Sequence, residues 1–146
     1  MKFEMMKKES PLNEMESQVM AGCYCSLPCE TEEDKVKIYN VSQSSDHRLR
    51  ECINMEIEMQ NLFIELVELS KKDENGNDTG ETVISPRIVI IDVKGETYSC
   101  CSSGIYLSLK RICGLYGMPN SWEHPITIIP VLISSGKNQV LSIRLK

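Results

Sequence analysis

From Asp34 to the C-terminus, apolar residues recur mostly at every second position, in short runs broken by turns rich in Gly, Asn and Pro. This spacing is the strongest constraint on the fold, because a strand sends alternate side chains to opposite faces and buries only one of them. In DKVKIYNV, Val36 and Ile38 alternate with Lys37 and Tyr39, which reads as a half-buried strand. After the polar stretch SQSSDHR, a long β-type segment runs from about Ile53 to Leu69. Met55, Ile57 and Met59 alternate with Glu56 and Glu58, the phase slips near Gln60 and Asn61, and Leu62, Ile64 and Leu66 continue. Such a slip marks a bulge of the kind small barrels use to turn corners. A helix rich in Met, Leu and Glu is the competing reading of that segment.

The polar segment KKDENGNDTGE, residues 71–81, reads as a hairpin loop. Pro86 opens the next strand, RIVIID, which turns at Lys94 and Gly95 into ETYSC. Ser102 or Ser103 caps a helix through about Tyr116, with Ile105, Leu109, Ile112 and Tyr116 on one stripe. Gly117 and Pro119 stop it. Two last strands, about 125–134 and 139–145, flank SSGKN, with Leu141, Ile143 and Leu145 inward. Short strands with one helix before the final hairpin predict a mainly β, OB-like, partly closed barrel; a parallel α/β sheet would need a helix between most strands.

Residues 1–33 show neither period, are rich in Met and Glu, and are interrupted by Pro11, Gly22 and Pro28. They predict a flexible acidic tail ahead of a domain spanning 34–146. The chain's 146 residues suffice for one such core and not for two. No apolar run approaches the roughly 20 residues that span a bilayer, and the N-terminus lacks a signal peptide's apolar stretch, so a cytoplasmic location is expected.

The net charge of −5 argues at first against a nucleic-acid partner. Its distribution answers that. Residues 1–34 hold three basic against eight acidic residues and 35–85 six against ten, whereas 86–146 hold seven against three. An acidic tail on a domain with one basic face fits this asymmetry.

Chemistry-bearing patterns are sparse. The sequence has no G-x-S-x-G, no HExxH, no phosphate-binding glycine loop and no G-x-G-x-x-G, so no catalytic residue and no cofactor is expected. Glu56 and Glu58 read as a solvated strand face. The cysteines Cys23, Cys25 and Cys29 form C-x-C-x3-C without the second pair that zinc sites use, so reduced thiols and no metal are expected. Cys100 and Cys101 precede a helix N-terminus, where a thiol pKa can fall; without a neighbouring His they read as buried thiols.

Binding is the better-supported class. Single strands are held by basic grooves with aromatic platforms. Lys37 and Tyr39, on one face of the first predicted strand, are the strongest candidate pair. Tyr98, one strand over from Arg87, extends that platform, and Lys137 and Arg144 are candidate phosphate contacts. Phe63 is assigned to the core, Lys110 and Arg111 to a solvated helix face, and Trp122 to the barrel end. The residues alone leave open a protein–protein adaptor without a nucleic-acid role, and a cysteine-based metal or redox regulator.

The ordered pieces Val36-Lys37-Ile38-Tyr39-Asn40, Asp92-Val93-Lys94-Gly95-Glu96-Thr97-Tyr98-Ser99, the helix from Ser102 and the turn Ser135-Gly136-Lys137-Asn138 before QVLSIRLK carry a resemblance. Over about residues 35–146 the chain resembles the single-stranded DNA-binding proteins of protein-primed Bacillus-type phages and their relatives in phages of Gram-positive hosts. The resemblance implies an OB-like fold, single-stranded DNA as partner and sequence-independent coating of displaced strands during phage replication. It places Lys37, Tyr39 and Tyr98 on the DNA. The tail and the cysteine cluster have no counterpart in that layout, and the tail is a candidate site for replication partners.

Overall fold

The computed structural model describes residues 11–146. Helix α1 (Pro11–Met20) and strand β1 (Cys23–Cys25) are followed by helix α2 (Glu32–Gln43) and the short strand β2 (His47–Arg48). Strands β3 (Ile57–Lys72), β4 (Asp78–Asp92) and β5 (Thr97–Cys101) lead into helix α3 (Ser103–Tyr116), and β6 (Ile126–Ser135) and β7 (Asn138–Leu145) form the terminal hairpin. The seven strands make one curled sheet in the order β2-β5-β4-β3-β6-β7, with β1 paired to β3. The fold is mainly β, a partly closed OB-like barrel, with a helix before the final hairpin as the periodicity requires.

Alternation within β3 and β4 explains how both sheet faces are used. Leu62, Ile64, Ile88 and Ile90 point inward and are fully buried with Met15 and Val19 of α1 and Ile105 and Leu109 of α3. Phe63, Val89 and Ile91 point outward and are buried against Leu27 and Val41. The phase slip near Gln60 is a bulge between Met59 and Asn61, which lets β3 pair with β6 at Ile57–Met59 and with β1 at Phe63–Glu65. The helical alternative for this segment is thus overturned.

Three expectations are corrected. DKVKIYNV is not a strand but most of α2, because Thr31 and Asp34 form a capping box that fixes the helix start. The hydroxyl of Thr31 accepts from the Asp34 amide at 3.0 Å, and the Asp34 carboxylate accepts from the Thr31 amide at 3.1 Å. The domain boundary at residue 34 does not hold for the described residues. Met15, Val19 and Tyr24 belong to the main core, so residues 11–33 are part of the domain; residues 1–10 lie outside the described residues. The loop expected at 71–81 is shorter, since β3 and β4 continue to Lys72 and from Asp78 as a projecting two-stranded arm.

The helix after Ser102 is as expected. The Ser102 hydroxyl accepts from the Ile105 amide at 3.2 Å, and Ile105, Leu109 and Ile112 are buried while Tyr116 is exposed. Gly117 ends it at φ 87°, a conformation that favours glycine.

Candidate nucleic-acid interface

A groove of about 520 Å³ lies where the sheet's first and last strands approach each other. Arg48 and Arg50 line it from the β2 side, Arg87 from β4, Ser99 and Cys101 from β5, and Gln139 and Val140 from the terminal hairpin. Among the described residues its lining holds three guanidinium groups and no carboxylate, in a chain whose net charge is −5. Such a concentration of one sign attracts polyanions despite the total charge.

Each arginine is positioned by its neighbours in sequence. Leu49 is fully buried and anchors the short helical turn Leu49–Glu51, so the residues on either side of it stand outward. The segment before it is tied to β5. The Asp46 carboxylate accepts from the Thr97 amide at 3.0 Å, the Thr97 hydroxyl accepts from the Asp46 amide at 2.9 Å, and Ser45 and Ser99 share a hydroxyl contact at 2.6 Å. The Arg48 side chain is 83% exposed, 4.0 Å from Glu51. Arg87 pairs in register with Glu65 on β3 and Cys101 on β5. Its Nη1 lies 3.9 Å from the Glu65 carboxylate and, although buried, has no hydrogen-bond partner among the described residues. A buried donor in that state is expensive to leave unpaired.

Of the six candidates read from the sequence, the structure brings Arg87 into this groove. Lys137 occupies the exposed turn of the terminal hairpin, two residues before Gln139 of the lining. Arg144 lies over a different hollow, with Ile53, Val131 and Ile133. Lys37 and Tyr39 do not line the groove; they stand on α2, where Lys37 shares a mixed cleft with Glu33, Asp34 and Asp46. Tyr39 is 64% exposed. Tyr98 is buried where an exposed platform was expected: its hydroxyl donates to the Asp92 carboxylate at 2.9 Å, and the His47 ring stacks on it at 5.0 Å. Burial and the Asp92 carboxylate push its phenol well above the ordinary range. Arg48 and Arg50 were missed because they follow a polar stretch that reads as a loop. The available signal was the alternation of His47-Arg48-Leu49-Arg50, with an apolar residue between two cations.

The remaining assignments follow from packing. Phe63 is core, and Trp122 donates to the Gly117 carbonyl at 2.7 Å while covering the main core. Burial pushes the Cys100 thiol up to about 12 and Cys23 up to about 11, so both stay protonated at neutral pH. Among the described residues no three His, Cys, Asp or Glu side chains are grouped to hold a metal ion. Among them, too, no helix is long and apolar enough to cross a membrane.

No curated protein sequence and no solved structure matches the chain. The family model for phage single-stranded DNA-binding proteins matches residues 17–146, a span that includes α2, the groove and the terminal hairpin. The chain therefore belongs to the phage single-stranded DNA-binding protein family, and its role is to bind single-stranded DNA in phage DNA replication.

Proposed function

We propose that the bound strand runs through the groove of Arg48, Arg50 and Arg87, with Lys137 at the hairpin tip extending the phosphate path. The observation that carries this reading is the convergence of three guanidinium groups on a groove without a carboxylate. Phosphate contacts fix a strand without reading its bases, which suits a protein that coats displaced DNA of any sequence. The Ser102 hydroxyl, which accepts from the Ile105 amide and keeps its own proton, offers a neutral donor along the same wall. Exposed Val140 supplies apolar surface for base contact. The protein acts by binding alone, without a catalytic step, in the host-cell cytoplasm.

The test is a titration of fluorescently labelled oligo(dT) and of a duplex of equal length, each followed by anisotropy at several salt concentrations. Tight binding of oligo(dT), weakened by salt and much stronger than duplex binding, is expected. Lys37→Ala and Tyr39→Ala are expected to bind like the parent protein, and Arg50→Ala to bind more weakly. The reverse ranking would move the strand from the groove to α2.

A further inference from the structure

Two surfaces outside the groove carry unpaired charges of opposite sign beside exposed apolar side chains. The first is the β3–β4 arm. β1 stops pairing with β3 at Glu65 and β5 stops pairing with β4 at Arg87, so residues 66–72 and 78–86 pair only with each other. Glu68 stands directly across from Ile84, placing both on one face of the ribbon, and Ile84 is 60% exposed. The arm's two lysines are already taken up by ion pairs with Glu81 and Asp78. Glu68 makes no ion pair among the described residues.

The second surface is a hollow of about 650 Å³ under the terminal hairpin, walled by Ile53, Val131, Ile133 and Ile143. Among the described residues Arg144 is the one charged group in its lining, and it too makes no ion pair. From Ile126 to Lys146 the chain holds three basic residues and no acidic one.

We propose that the β3–β4 arm of one molecule docks in this hollow of the next molecule along a coated strand, with Ile84 against the isoleucines and Glu68 on Arg144. This rests on the single-strand reading above, which brings copies side by side, and adds the surface by which they touch. Arm and hollow are different patches, so the contact is head-to-tail and extends along a strand without closing on itself. Pairing of two arms with each other is disfavoured, because each carries five carboxylates against two lysines. The hollow offers what the arm lacks: apolar walls for Ile84 and an unpaired cation for Glu68. Arg144 then serves a neighbouring protein and not a phosphate.

The experiment compares the wild type, Glu68→Arg, Arg144→Glu and the double charge swap. Each is titrated onto poly(dT) and onto the shortest dT oligomer that takes up one molecule. The readout is the ratio of the two affinities, which cancels any effect on a lone protein–DNA contact. Each single variant is expected to lower that ratio about fivefold or more, the worth of one exposed ion pair expressed as an equilibrium constant. The double swap, with the pair rebuilt in opposite sense, is expected to restore it. Single variants with the wild-type ratio, or a double swap no better than the singles, overturn the proposal. So does an Arg144→Glu variant that weakens oligomer and polymer binding by the same factor, which would put Arg144 on the strand. A wild type that fails to bind the oligomer would remove the single-strand reading itself, a result distinguishable from loss of the neighbour contact alone.

Discussion

Replacing Arg48 and Arg50 together by alanine isolates the groove's electrostatic contribution. Both side chains are exposed and flank the buried Leu49, which the change leaves in place. Surface substitutions of this kind move folding stability by only about 0.5 kcal/mol, so an unchanged thermal melt is expected. Binding should change in a specific way. Each phosphate neutralised on a single strand contributes about −0.7 to the slope of log affinity against log salt, so losing two contacts flattens the slope by about 1.4. Between 50 and 200 mM salt, the affinity ratio of wild type to variant should therefore shrink by about sevenfold. Anisotropy of labelled oligo(dT) at four or five salt concentrations measures both slopes directly. A ratio that stays constant over this range would refute phosphate neutralisation by these two arginines, even if the variant bound more weakly at every point.

Other expectations concern the framework that holds the groove. Tyr98→Phe leaves one oxygen of the buried Asp92 carboxylate without its donor, and should cost about 1–3 kcal/mol in chemical denaturation while oligo(dT) affinity holds. Gly117→Ala forces a left-handed φ of 87° and puts a Cβ 2.7 Å from the Ser121 hydroxyl, whereas Gly76→Ala meets the strain at φ 82° in open space. Gly117→Ala should therefore lower Tm further than Gly76→Ala, and equal losses would remove the steric argument. The Asp34 carboxyl is held below its ordinary value of 3.8 by the amides of Thr31 and Glu30. Its contribution to α2 is full above that value and is lost as pH falls through the lower folded one. Asp34→Asn should abolish this part of the acid dependence in a helicity titration.

The legible parts of the fold were those where one local signal stood unopposed. The bulge after Met59, the turn at Gly95, the Ser102 cap and the terminal hairpin all follow from spacing and turn chemistry. At Val36–Ile38 two signals competed. The alternation favoured a strand, but the Thr31–Asp34 capping box and three acidic residues in the first turn favoured a helix, and the helix prevailed. Val36 consequently stands 52% exposed, while Ile38 and Val41, three residues apart as a helix face requires, pack on the outer cluster. The site was less legible than the fold because it is assembled from distant segments. Arg48 and Arg87 meet because β5 pairs with β4 through the legible turn at Gly95 and with β2 in parallel, and that second neighbour relation is one no local pattern encodes.

The position of the strand can be read most directly by photocrosslinking. Oligo(dT) carrying 5-bromodeoxyuridine, bound to the wild-type protein and irradiated, would be mapped by mass spectrometry of the crosslinked peptides. Crosslinks are predicted in the groove-lining segments, residues 48–50, 99–102 and 137–141. Crosslinks confined to α2, around Lys37 and Tyr39, would contradict the account.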